Sequence, residues 1–261
     1  MAVIQTLYSG SAGNCTLIRD AGTVLLVDMG KNCKETLTAL YKAGVSAKDI
    51  SGILVTHEHS DHISGLRVFL KHYPVPLFGS TMTLEFLHSH MMIGECDTVA
   101  FEPGEEIMVG GLSFTGFRTS HDSLDCLGYR FLFENGTTAA VATDLGCVCD
   151  SVKENLRDCD FIGLESNYDV EMLRFGGYPR HLKQRIASRS GHLSNIECAE
   201  ALAFLAVRGT KRLMLMHLSQ HNNAPELALT TCLVMLENQG AEDCSVYVAP
   251  RHDIGEAIEV L

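Results

Sequence analysis

GILVTHEHSDHISGL, residues 52–66, places three histidines and an aspartate within six positions, directly after an apolar run. Ionisable groups beside a buried strand cost desolvation free energy unless something pairs with them. That partner is either a hydrogen-bond network or a metal ion. The apolar run predicts a buried strand over 49–56 that ends at His57, and a helix over 61–72. His57 and His59 then fall in the connecting loop, with Asp61 and His62 one turn behind. Imidazoles and carboxylates suit ions such as zinc, manganese or iron, and no thiolate stands in the motif. Structural zinc sites more often use cysteine, so the pattern reads as an open, catalytic metal site.

Working outward, strands and helices alternate with short turns. Strands are predicted over 2–9, 15–20, 22–30 and 49–56, a short one at 75–80, then 106–118, 127–134, 137–144, 160–166, 212–219 and 244–249. Helices are expected over 32–43, 61–72, 81–91, 195–206 and 224–238. Asp28, His57, Asp144, Glu165 and His217 each stand at the carboxyl end of a predicted buried strand. Side chains at strand ends are where α/β proteins place their chemistry, so five strands would assemble one site at a common edge. No linker, repeat or low-complexity segment interrupts the chain, and one domain spanning residues 1–261 is expected.

Composition bounds the class. The chain has 261 residues, 46% of them apolar and 20% charged, enough to bury a sizeable core. No basic n-region or cleavage site opens it, so a cytoplasmic protein is expected. Its ten cysteines lack paired C-x-x-C spacing and read as reduced, buried thiols, with Cys147 and Cys149 a weaker candidate for a redox or metal pair. A net charge of −12 argues against nucleic-acid binding, although a bound metal adds positive charge where it sits. One stretch runs against the trend: residues 173–195, LRFGGYPRHLKQRIASRSGHLSN, hold Arg174, Arg180, Lys183, Arg185 and Arg189 and no acid. It is either a solvated helix face or a patch that grips phosphates.

THEHSDH matches the H-x-H-x-D-H signature of the metallo-β-lactamase superfamily, and the other strand-end residues follow in that superfamily's order. The resemblance covers essentially the whole chain. It is closest to the bacterial YycJ (WalJ) branch, which is similar in SGSAGN, GILVTHEHSDH, SHD…GYRF, TDLG, ESNYD…ML, GHLSN and HLSQHNN. The resemblance implies a four-layer αββα fold, two mixed β-sheets packed face to face with helices outside. It implies two divalent metal ions, zinc, manganese or iron. His57, His59 and His121 would hold the first, Asp61, His62 and His217 the second, with Asp144 bridging them beside a water or hydroxide. Asp28 would orient the histidine loop from behind the ligands. His221 and His252 stay outside this assignment.

Two ions clamping a bridging hydroxide suit hydrolysis, and phosphodiester hydrolysis in particular. The superfamily also contains thioesterases and lactonases, so membership alone does not choose the substrate. LESNYD and SGHLSN resemble the positions where RNase Z-like phosphodiesterases carry a paired Glu and His. Glu165 would orient His192, and His192 would contact the phosphate or protonate the leaving oxygen, with Asp61 the third catalytic residue. The cations of 173–189, with Ser194 and Asn195, would bind the nucleic acid, and Ser194 or Asn195 would cap the helix at 195. The branch implies 5′–3′ exonuclease activity on DNA, favouring single strands. Tryptophan is absent and aromatics are 7% of the chain, so no stretch advertises base stacking. The alternatives are a small-molecule hydrolase of the same fold, or a non-enzymatic metal-stabilised binding protein.

Overall fold

A computed structural model describes residues 1–261. The chain first builds one sheet and then a second. β1 (Val3–Tyr8), β2 (Cys15–Asp20), β3 (Thr23–Val27), β4 (Gly52–Leu54), β5 (Leu77–Gly79) and β6 (Thr98–Ala100) lie in sequence order. The second sheet runs from β7 (Glu106–Val109) through β8 (Leu112–Arg118), β9 (Leu127–Leu132), β10 (Thr138–Ala142) and β11 (Phe161–Glu165) to β12 (Arg212–Met216) and β13 (Ser245–Val248). The short β14 (Ile258–Glu259) returns to pair with β1 and makes the first sheet seven-stranded like the second. Both sheets are mixed. β3 to β6 and β10 to β13 pair in parallel, while the hairpins β1–β2–β3 and β7–β8–β9–β10 are antiparallel.

Alternation along the strands creates the layers. In β3, Leu25 and Val27 pack into the apolar layer between the sheets with Phe114, Tyr129 and Phe161, whereas Leu26 points the other way, toward helices. In β10, Val141 joins the inter-sheet layer and Ala140 and Ala142 face the opposite helices. Period-2 side chains that are apolar on both faces require cover on both sides. Helices α1 (Cys33–Lys42), α3 (Leu66–His72) and α4 (Thr81–Ser89) cover the first sheet. Helices α5 (Asp150–Leu156), α8 (Asn195–Ala206) and α9 (Pro225–Asn238) cover the second. The result is the four-layer αββα arrangement.

The expected helix over 61–72 is broken into α2 (Ser60–Ile63) and α3. The backbone bond that would join them is diverted: Gly65 N–H donates to Met29 O at 2.9 Å, and Asp61 O accepts from Asn14 N–H at 2.8 Å. The expected strand over 49–56 shortens to β4 because a capped 3₁₀ turn occupies Ala47–Asp49 and Thr56 N–H turns away to the Asp28 carboxylate. Two short helices, α6 (Val170–Phe175) and α7 (Arg180–Ile186), form where only a basic stretch was expected. They have a small core of their own in Tyr168, Leu173 and Ile186. No helix is long and apolar enough to cross a membrane.

Candidate metal centre

The carboxyl ends of β3, β4, β10, β11 and β12 present Asp28, His57, Asp144, Glu165 and His217, all of them buried. Asp28, Asp144 and His217 have φ of 64°, 58° and 55°. A non-glycine residue in the left-handed region costs on the order of 1–3 kcal/mol and persists where its surroundings over-determine it. Here each such residue ends its strand and turns the chain at the site.

The buried imidazoles are fixed by what their Nδ1 atoms touch. His57 Nδ1 lies 2.9 Å from Thr56 Oγ1, His62 Nδ1 2.6 Å from Asp28 Oδ2, His121 Nδ1 3.0 Å from Gly191 O and His217 Nδ1 2.6 Å from Glu165 Oε1. Each acceptor takes the hydrogen bond from Nδ1 and turns Nε2 toward the cluster, the arrangement by which outer groups orient a metal-binding histidine. His59 differs, since its Nδ1 approaches His121 Nε2 at 3.3 Å and is the nitrogen that joins the cluster.

These atoms form two overlapping groups. One donor atom each from His57, His59 and His121 lie within 4.8 Å of one another, as do those of Asp61, His62 and His217. Asp144 stands between them, with Oδ1 3.7 Å from His121 Nε2 and Oδ2 3.0 Å from His62 Nε2. His57 Nε2, Asp144 Oδ2 and His217 Nε2 are buried without a hydrogen-bond partner. Buried orphans within these two groups are expensive unless ligands complete them. The charges agree: Asp28, Asp61, Asp144 and Glu165 together balance two divalent ions. The donor set therefore fits a pair of such ions, and it contains no cysteine.

The electrostatics reflect this crowding. Burial pushes the Asp144 carboxyl up, but His217 and His62 together hold it well below the usual carboxylate range. Burial and the neighbouring His62 drive His57 well below an ordinary imidazole. Burial opposes ionisation of Glu165 as well, yet His192 and His217 bring it down to about 2. Glu165 Oε1 accepts from His192 Nδ1 at 2.8 Å as well as from His217, and Oε2 accepts the backbone N–H of Leu145 and Leu193. Burial lowers the His192 pKa, but Glu165 and Asp144 overcome it and raise the group above its ordinary value.

A cleft of about 250 Å³ opens onto this cluster, lined by His59, Asp61, His121, Asp144, His192 and His217 among others. Of the five cations in the basic stretch, only Arg185 lines it, and its guanidinium is clamped on Asp122, with Nη2 3.0 Å from Oδ1. Arg174 pairs with Glu171 and stacks over Phe175, and Lys183 Nζ donates to Arg174 O. Arg180 and Arg189 are exposed away from the cleft lining. Ser194 and Asn195 require correction as substrate contacts. Ser194 is the buried N-cap of α8, bonded to Glu197, and the buried Asn195 is held by Ser166 and Asn223. Both side chains serve the loop that carries His192. His221 and His252 lie outside the cleft lining.

Sequence reasoning missed several residues. Thr56 Oγ1 contacts Asp28, His57 and His62 at once. Asn14 reaches His62 Nε2 at 3.1 Å, and Asn167 Nδ2 donates to His217 O. Thr56 sits inside the quoted motif, and Asn14 and Asn167 lie in SGSAGN and ESNYD, so short matches marked them without a role.

The profile of the Beta-lactamase superfamily domain matches residues 23–218. The chain is 37% identical over 259 residues to a Bacillus anthracis protein named exodeoxyribonuclease YycJ, covering 98% of this chain and 93% of that protein. It is 36% identical over 233 residues to exodeoxyribonuclease WalJ of Streptococcus pneumoniae, covering 88% and 86%. Among solved structures, the metallo-beta-lactamase fold protein YhfI from Bacillus subtilis superposes with a TM-score of 0.76 at 18% identity, over 98% of this chain and all of that one. At that identity the likeness supports the fold alone.

Proposed function

Because the chain belongs to the metallo-β-lactamase superfamily, we propose that it is a dinuclear metal-dependent phosphodiesterase, a 5′–3′ exodeoxyribonuclease whose substrate is DNA. The observation that carries this reading is the Glu165–His192 pair, in which the buried Glu165 holds His192 in the wall of the metal cleft. The near full-length relatives named exodeoxyribonucleases support the same substrate. Thioesters and lactones present no phosphate for such a pair to serve.

His57, His59 and His121 would hold one ion and Asp61, His62 and His217 the other, with Asp144 placed between the two groups. Divalent ions in these positions supply Lewis acidity, lowering the pKa of water and neutralising charge that builds on the phosphate. Asp28 and Thr56 keep His57 and His62 in the ligating tautomer. Glu165 does the same for His217 and fixes the ring of His192. His192, raised in pKa and anchored through Nδ1, has Nε2 free to hydrogen-bond the scissile phosphate and to protonate the leaving oxygen. Arg185 meets a phosphate at the cleft, while Arg174, Arg180, Lys183 and Arg189 follow the strand along the outside of α6 and α7. Residues 1–261 act as one domain, since both sheets contribute ligands. Ten free cysteines suit a reducing cytoplasm, where we place the protein.

The test incubates manganese- or zinc-loaded protein with end-labelled single-stranded DNA, RNA and a chromogenic thioester. DNA shortened from its 5′ end is expected. His192→Ala should lower the cleavage rate by about 10²–10⁴-fold, the usual share of general acid–base catalysis, with metal content unchanged. Thioester hydrolysis with no DNA cleavage overturns the reading.

A further inference from the structure

The metal cleft is two-sided. Its only apolar lining side chains are Tyr178, Leu182 and Ile186, and all three come from the short α6–α7 hairpin. Charged, imidazole and neutral polar side chains line the remainder, with Arg185 the hairpin's one polar contribution. Tyr178 and Leu182 pack against the hairpin's own core of Tyr168, Leu173 and Ile186, so the apolar wall is held as a unit. The Tyr178 ring is braced by His221, whose ring stands at 67° to it with centroids 6.0 Å apart.

A nucleotide has the same polarity as this cleft, a charged phosphate at one end and a flat π-system at the other. Aromatic side chains stack bases of any sequence, because every base has a π-face. Ligand sites usually measure about 300–1,000 Å³, and this cleft, at about 250 Å³, is smaller.

From this juxtaposition we infer that Tyr178 is the stacking platform for the 5′-terminal nucleobase. The inference rests on the phosphodiesterase reading above and adds a nucleobase contact to it. It also reassigns the basic stretch: all its cations but Arg185 stand outside the cleft, and its half-buried Tyr178 and Leu182 do the recognising.

The test compares manganese-loaded wild type, Tyr178→Ala and Tyr178→Phe on two single-stranded DNAs. They differ only at the 5′ residue, thymidine in one and a tetrahydrofuran abasic analogue in the other. Wild type should prefer the base-bearing end by about tenfold in kcat/KM, equivalent to about 1.4 kcal/mol and within the range of one base–aromatic stack. Tyr178→Phe should keep that ratio, and Tyr178→Ala should bring it close to one. A 5′-terminal 2-aminopurine should be quenched on binding to wild type and Tyr178→Phe, and stay bright with Tyr178→Ala. An undiminished ratio in Tyr178→Ala overturns the inference and leaves the phosphodiesterase reading standing. Loss of the ratio in Tyr178→Phe assigns the effect to the hydroxyl and overturns stacking. Wild type that cuts neither DNA overturns the functional reading and this one with it.

Discussion

His217 lies among three carboxylates, with Glu165 at 2.6 Å, Asp144 at 3.5 Å and Asp61 at 3.6 Å. Burial pulls its pKa down, but Asp144, Asp61 and Glu165 more than reverse this and raise it to about 10. Without metal the ring is therefore protonated at neutral pH. Its Nδ1 proton stays hydrogen-bonded to Glu165, so an incoming ion must displace the proton on Nε2. The sign follows directly: metal affinity rises with pH up to about 10, and loading at pH 7 releases protons. Zinc titration by calorimetry in buffers of different ionisation enthalpy should show at least one proton released per chain. A buffer-independent heat would contradict this. The same contacts separate what sequence reveals from what it hides at this scale. The H-x-H-x-D-H spacing exposes ligand identity, because one loop must carry several donors. It is silent on which nitrogen each imidazole offers, since the deciding acceptors are 34 residues away for His62 and 52 for His217.

At the scale of elements, the loop that carries Asp61 and His62 is clamped from two sides. Asn14 N–H holds Asp61 O, Met29 N–H holds His62 O at 2.7 Å, and Gly30 N–H holds Asn14 O. Gly30 is where the backbones meet: a Cβ there would lie 1.7 Å from the carbonyl oxygen of Asp61. Gly30→Ala must move the α2 loop and should cut bound metal from two ions per chain to one or none, read by elemental analysis of the purified protein. Full occupancy would show the clamp to be dispensable. Elements with strong local signals were legible. The region 195–206 matches α8 because Ser194 and Glu197 form a capping box ahead of an apolar run. The helix over 61–72 was misread because the break depends on Met29 and Asn14, partners outside its own periodicity. α6 and α7 escaped because each is at most seven residues long, too short to show a period, and their core forms only between them.

At the scale of the whole molecule, both sheets contribute to one cluster: the first delivers Asp28 and the 57–62 loop, the second Asp144, Glu165 and His217. Metal that bridges these donors ties the sheets together and binds only the folded chain. At about a hundredfold its Kd an ion stabilises by about 2.7 kcal/mol. For a chain of this size that is a rise in Tm of roughly 5–10 °C. Scanning calorimetry with excess zinc and after chelation should show it, and equal Tm values would deny that both sheets share the site.

By itself the sequence determined the buried strands and the polar residues at their carboxyl ends, and the family resemblance supplied the four-layer order and the full ligand set. Strands apolar on both faces had to be covered on both sides, and the polar residues at their carboxyl ends had to gather at one edge. Only the tertiary structure decided which imidazole nitrogens are free and that Arg185 faces Asp122, 63 residues away. It likewise decided that the basic stretch turns an apolar wall toward the cleft. The physical reason is range. Burial patterns repeat along the chain and can be read locally, whereas tautomers, ion pairs and cleft walls depend on partners that meet only after folding.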